Sequence, residues 1–350
     1  MFQKMTPDEM DKFAEDIING ASLSDEDLKK LLAIESEEEL EKLYRTARKV
    51  RDHFFGNRVF LNCFIYFSTY CKNRCAFCYY NCENDIKRYR LTREDIKETC
   101  KVLKGAGFHM IDLTMGEDPY YYDKPERFVE LVRTVKEELN LPIMISPGVM
   151  NNEILLKARE NGADFLALYQ ETYDRERYAK LRVGQSFEGR VNARRFAKEN
   201  GYCVEDGLLT GIGNDIESTV LSLRGMKANN PDMVRVMTFI PQEGTPLEGA
   251  QQSSNLSELK IIAVQRLFFP DRLIPASLDV EGIDGMVHRL NAGANIVTSI
   301  LPPNSELDGV ANYDRGLKER DRDIKSVISR LESLGMEPAS QADFEKVLGH

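Results

Sequence analysis

The chain lacks any apolar run long enough to cross a membrane. Its longest, such as Ile261 to Val264 and Leu267 to Pro270, fall far short of the roughly 20 residues a spanning helix needs. No secretory signal is visible: the N-terminus, MFQKMTPDEMDKF, carries acids where an apolar h-region would stand. No block of Lys and Arg stands alone. Basic residues are interleaved with acids, as in RDRDIKSVISRLE, and the net charge is −10. Neither long nucleic acid nor an anionic membrane is therefore expected as a partner. The phosphate-binding glycine fingerprint is missing too, since GIGNDIE (211–217) imitates G-x-G-x-x-G but has Ile216 at its last position. His109 and His288 sit in strand and helix patterns with nothing to pair them as metal ligands. No internal repeat or low-complexity tract is seen.

What is present is a 350-residue chain with 42% apolar content, enough to bury a sizeable core. Length alone suggests two domains, but an α/β barrel uses this many residues as one. The default setting is the reducing cytoplasm, where clustered cysteines are metal ligands rather than disulfides.

Residues 1–56 read as a helical extension. Thr6-Pro7-Asp8-Glu9 and Ser24-Asp25-Glu26-Asp27 are helix starts, and ESEEELEKL (35–43) is a solvated face with a Glu38–Lys42 pair. From Val59 onward strands and helices alternate. Strands are predicted at 59–67, 109–114, 142–146, 164–169, 202–209, 233–239, 272–279 and 295–300. Helices fall between them near 92–106, 125–139, 151–161, 187–200, 216–229, 255–268 and 282–291, with a further one near 319–334. Eight strands, each followed by a helix, predict a (β/α)8 TIM-type barrel over 57–350 with a C-terminal helical tail. A doubly wound open sheet is the alternative.

Four of the seven cysteines lie in YCKNRCAFCYYNC (70–82), at Cys71, Cys75, Cys78 and Cys82. Structural zinc usually uses two pairs separated by a longer loop, and no second pair exists. A bacterial ferredoxin run has x2, x2, x3 spacing followed by Pro, whereas here the gaps are x3, x2, x3 and Glu83 follows. Iron–sulfur ligation by three of these thiols is the best account, with zinc or inert thiols as the alternatives. Cys63, Cys100 and Cys203 are singletons expected in the core.

Cys71-Lys-Asn-Arg-Cys75-Ala-Phe-Cys78 resembles the CxxxCxΦC signature of the radical S-adenosylmethionine (SAM) enzymes, with Phe77 at the aromatic position. The resemblance covers roughly residues 55–310 and points to the biotin-synthase-like branch. It implies a [4Fe–4S] cluster held by Cys71, Cys75 and Cys78, one iron left open for SAM, and Cys82 as a spare. It also implies a one-electron donor such as flavodoxin or ferredoxin. Met115-Gly116-Glu117, after the second strand, resembles the family's GGE motif with Met in place of the first Gly. Glu171, on one face with Tyr169 by alternation, resembles the acidic SAM ligand of this branch. Arg190 resembles the arginine that pairs with the SAM carboxylate, and Arg182 is a second candidate. GLLTGIGNDIE (207–217) resembles the adenine-contacting segment. The chain departs from biotin synthase in having no cysteine on strands three, four and eight.

Interior polar residues speak to substrate. Arg235 shares a strand face with Met233 and Met237, Ser277 with Asp279, and Asp112 with Met110 and Thr114; Ser146 ends the third strand. Charge in mid-strand is costly unless it is paired or meets a ligand. One Arg with Asp112 and Asp279 complements a carboxylate and two ammonium groups, which is the pattern of a basic amino acid such as L-lysine. An internal salt-bridge network without ligand is the bland alternative. At the level of function, a radical SAM enzyme acting on another amino acid and a non-enzymatic electron carrier also stay open.

Overall fold

The computed structural model describes residues 7–251, 256–302 and 322–349. Three helices come first: α1 (Pro7–Ile18), α2 (Asp25–Leu32) and α3 (Glu37–Phe55). Ser24 and Asp27 form a reciprocal capping box at the start of α2, and Ser36 caps α3, each satisfying amides that a helix start leaves orphaned. The Glu38–Lys42 pair forms at 2.6 Å. The first predicted cap, Thr6, lies outside the described residues. These helices bury Leu28, Leu31, Leu43, Ala47 and Val50 in the same apolar core as the outer faces of the strands.

Eight parallel strands follow: β1 (Arg58–Ser68), β2 (Met110–Met115), β3 (Ile143–Ser146), β4 (Ala163–Ala167), β5 (Cys203–Thr210), β6 (Met233–Thr238), β7 (Pro275–Ser277) and β8 (Ile296–Ile300). Their order is β6-β5-β4-β3-β2-β1-β8-β7. The ring closes between β6 and β7 only through a parallel bridge, Met233 to Leu273, just before β7. The (β/α)8 expectation therefore holds, with a loosely sealed seam. The intervening helices are α4 (Arg93–Leu103), α5 (Pro119–Tyr122), α6 (Glu126–Leu139), α7 (Asn152–Glu160), α8 (Arg175–Leu181), α9 (Phe187–Glu199), α10 (Ile216–Asn229), α11 (Glu258–Phe268) and α12 (Gly282–Asn291). Among the described residues no helix is long and apolar enough to cross a membrane.

The chain ends in α13 (Ile324–Ser333), a short strand β9 (Glu337–Pro338) pairing with the start of β1, and α14 (Gln341–Leu348). Together they stopper the N-terminal end of the barrel. Phe344 of α14 is fully buried there beside Phe60, Met110, Met144, Phe165 and Met233. His109 pins this tail: its Nδ1 accepts from the Leu61 amide at 2.9 Å and its Nε2 contacts the Ala339 carbonyl at 2.8 Å. That arrangement fixes the Nε2–H tautomer and gives the histidine its structural role. Cys63 and Cys100 are buried, and Cys203 is half-buried.

Candidate active site

Catalytic groups of such barrels gather at the C-terminal strand ends. Here a cavity of about 370 Å³ opens at that end, walled by Cys71, Cys75, Cys78, Glu171, Arg182 and Arg190 among others. The cysteine loop, directly after β1, is held against the neighbouring strand end. The Lys72 amide donates to the Glu117 carbonyl at 3.0 Å, and a Cβ on Gly116 would lie 2.4 Å from the Tyr70 carbonyl oxygen. Glycine is thus obligatory at Gly116 for the loop to approach. Glu117 is buried, accepts from the Val149 amide at 3.2 Å and pairs with Lys72 at 3.3 Å. Cys82 stands apart, exposed on the loop's outer side.

Burial and the mutual repulsion of neighbouring sulfurs oppose thiolate formation at Cys71 and Cys78. Burial, then Cys75 and Cys71, push the Cys78 thiol up to about 12, and burial raises Cys71 as well. Thiolates here require a positively charged partner, which bound iron supplies. Among the described residues, no three His, Cys, Asp or Glu groups converge as a single-ion site. The three sulfurs instead line one wall of the cavity.

An adjoining wall, in contact with Cys75, comes from the β4–α8–α9 region. Glu171 has a left-handed backbone with φ of 66°, a conformation that is uncommon for a non-glycine residue. Its amide still donates to the Gly207 carbonyl at 2.9 Å, which anchors the turn. One Glu171 carboxylate oxygen pairs with Arg182; the other, Oε2, is buried without a partner, as is Arg182 Nε. Arg190 is buried with its Nε on the Tyr169 carbonyl at 2.9 Å, and no carboxylate lies within ion-pair distance among the described residues. Burial, then Arg182, push it down to about 10. An orphaned carboxylate oxygen on Glu171 and an arginine without an anion, Arg190, match an ammonium and a carboxylate, the groups carried by the methionine moiety of SAM. The residues present therefore fit the cluster and SAM. Gln185, which the sequence reading did not single out, donates from Nε2 to the Cys75 sulfur at 2.9 Å, and Arg182 stacks 5.4 Å over the Phe77 ring.

Deeper in the barrel lies a polar layer. Asp112 is buried and accepts from Ser146 Oγ at 2.9 Å. Arg235 pairs with Glu205 at 2.6 Å. Asp279 accepts from Ser277 at 2.6 Å, Ser299 at 2.7 Å and Arg322 at 2.8 Å. The predicted polar residues thus sit together, but in company that sequence reasoning missed. Glu205 neutralises Arg235 and Arg322 neutralises Asp279, so the expected charge complement of one Arg with two Asp does not stand as free charges. Asp112 alone has no basic group within ion-pair distance among the described residues. Burial, then Glu205, push its carboxyl up to about 7. The Tyr169 side chain points into this layer, its hydroxyl 3.1 Å from Glu205, while its carbonyl accepts from Arg182 and Arg190. A Cβ on Gly207 would lie 2.8 Å from the Tyr169 ring, so glycine there leaves the ring its place.

A parallel barrel whose first loop carries three cysteines on one wall of the mouth cavity defines a class, and the radical SAM superfamily model matches residues 65–224. The chain is 77% identical to the 3-methylornithine synthases of Methanosarcina acetivorans and Methanosarcina barkeri, over 99% and 100% of both partners respectively. It is 32% identical to the [FeFe] hydrogenase maturase subunit HydE of Thermotoga maritima, over 89% of this chain and 90% of that one. A crystal structure of methylornithine synthase superposes with a TM-score of 0.94 at 77% identity, covering 96% of this chain and 99% of the other. The chain belongs to the radical SAM superfamily and, within it, to the 3-methylornithine synthase family.

Proposed function

We propose that this chain is a radical SAM mutase that rearranges L-lysine to (3R)-3-methyl-D-ornithine, the first step of pyrrolysine biosynthesis. The observation that carries this reading is the 77% identity to 3-methylornithine synthases along the whole chain. Cys71, Cys75 and Cys78 hold the [4Fe–4S] cluster, and Glu171, Arg182 and Arg190 receive the amino and carboxylate groups of SAM. Phe77 and Glu117 back the cluster loop and the SAM amino group, and Tyr169 ties that wall to the interior through its carbonyl. With one electron from a flavodoxin- or ferredoxin-type donor in the cytoplasm, the bound cluster and SAM would supply a 5′-deoxyadenosyl radical for hydrogen abstraction, with methionine as the leaving group.

The protein's own part is positioning and exclusion. Asp112, with Ser146, receives an ammonium group of lysine; Arg235 faces its carboxylate; Ser277 and Asp279 shape the remaining polar edge. The apolar stopper below keeps water from entering through the barrel bottom, which protects a reactive carbon centre from quenching. Anaerobic reconstitution with SAM, dithionite and lysine tests the reading. Lysine-dependent formation of 5′-deoxyadenosine and 3-methylornithine supports it. If another amino acid is processed and lysine is not, the substrate assignment fails while the cluster and SAM roles stand.

A further inference from the structure

Glu205 is fully buried and stands in the middle of β5, facing the barrel interior. Its two carboxylate oxygens are used separately. Oε1 accepts from Arg235 Nε at 2.6 Å, and Oε2 accepts from the Tyr169 hydroxyl at 3.1 Å. Arg235 is fixed at a second point, since its Nη1 donates to Thr298 Oγ1 at 3.3 Å. The Tyr169 ring lies 5.6 Å from the guanidinium carbon. With Nε and Nη1 taken, the guanidinium plane cannot turn. Among the described residues, Nη2 has no hydrogen-bond partner in the protein.

A buried ion pair is a poor source of stability, because desolvation of both charges offsets their attraction. It is a good way to fix the direction of a planar, five-donor cation. We propose that Glu205 is a positioning residue for substrate: it locks Arg235 so that the remaining guanidinium nitrogen meets the carboxylate of the bound amino acid. This inference rests on the reading that the substrate is an amino acid, and it gives the interior acid a role that the charge count alone leaves unexplained. Neighbouring Asp206 serves as the contrast. It faces the other side of the sheet, where it accepts from Tyr173 at 2.6 Å and lies 3.6 Å from Arg194, away from the cavity.

The test uses cluster-loaded full-length enzyme with SAM and compares Glu205→Gln, Arg235→Gln and the double variant. Iron content and thermal midpoint are measured beside kcat and KM for lysine. Glu205→Gln is expected to raise KM about tenfold, equivalent to ~1.4 kcal/mol, with kcat changed far less, because ground-state orientation of the carboxylate is what is lost. The double variant should have the same KM as Arg235→Gln, since Glu205 acts through Arg235. A Glu205→Gln enzyme with wild-type KM overturns the inference. So does a double variant whose KM rises by the product of the two single effects. If Glu205→Gln fails to fold because Arg235 is left as an unpaired buried charge, the comparison of Arg235→Gln with the double variant decides alone. Failure of the underlying reading is separate and is seen in the wild type, as absence of turnover with any amino acid.

Discussion

The two ends of one barrel obey opposite rules. At the N-terminal end, inward residues of successive strands are Phe60, Met110, Met144, Phe165, Met233 and Ile296, closed by Phe344. Along the same strands, toward the C-terminal end, the inward positions become Asp112, Glu205 and Arg235, and beyond them stand thiols and arginines. The lower layer removes apolar surface from water and holds the ring together. The upper layers bury charge at a cost that only a ligand, a cluster or a fixed geometry can justify. Side-chain alternation is the same throughout; what changes with height is chemistry.

The largest expected effect comes from breaking the upper end at its metal. Cys75→Ala should bind little iron and form no detectable 5′-deoxyadenosine, while its apo form melts close to the wild-type apo chain. A full iron complement in that variant would remove Cys75 from the ligand set. Breaking the lower end gives the reverse pattern. Phe344→Ala should cost about 3–5 kcal/mol of stability, as for a large aromatic truncated in a core, yet retain near-normal activity per folded molecule well below its melting point. Loss of activity at full folding would mean that the two ends are coupled.

Asp112 sharpens the comparison because it faces both demands. Its carboxyl titrates among Cys63 and Tyr66 on β1, Tyr169 just after β4, Glu205 on β5 and Arg235 on β6, with Ser146 as hydrogen-bond donor. Burial raises its folded value to about 7, above an unfolded value of about 3.9. The folded chain therefore holds this proton more tightly, and this group's contribution to stability is full below the unfolded value and declines as pH rises toward about 7. Ammonium binding needs the ionised form, so KM for lysine should fall as pH climbs through the same window. Asp112→Asn should gain about 1–3 kcal/mol at pH 8 by removing a buried charge that has no ionic partner among the described residues, and its higher KM should no longer vary with pH there. Unfolding curves and KM measured at several pH values check both signs. The smallest effect belongs to Cys82→Ala. This thiol is exposed outside the cavity, and iron content and turnover should match wild type; loss of iron would make it a ligand.

Legibility in the sequence followed the range of the interactions. All eight barrel strands and the longer helices between them announced themselves through local periodicity and caps, as in the Thr92–Asp95 box that opens α4, whereas the short helices α5 and α8 did not. The cysteine loop was equally plain, because Cys71, Cys75 and Cys78 lie within eight residues. Two classes of feature stayed hidden. The stopper formed by β9 and α14 carries short, weak patterns whose meaning depends on pairing with β1, nearly 280 positions away. The partners Glu205 and Arg322 read as ordinary charges until strand register brought them to Arg235 and Asp279. In Glu205-Asp206 two adjacent acids face opposite sides of β5, and only the fold tells which one faces the barrel interior. Gln185 gave no signal at all, since it reaches Cys75 from a turn between helices.

We propose that the polar interior of this barrel orients lysine for a change of carbon skeleton. Uniformly ¹³C-labelled lysine, incubated anaerobically with the reconstituted enzyme, SAM and reductant, tests it directly. The account predicts a product isomeric with lysine whose carbon spectrum contains a new methyl group on a branched chain. A product of different mass, or lysine returned with its chain unbranched while 5′-deoxyadenosine accumulates, would contradict it.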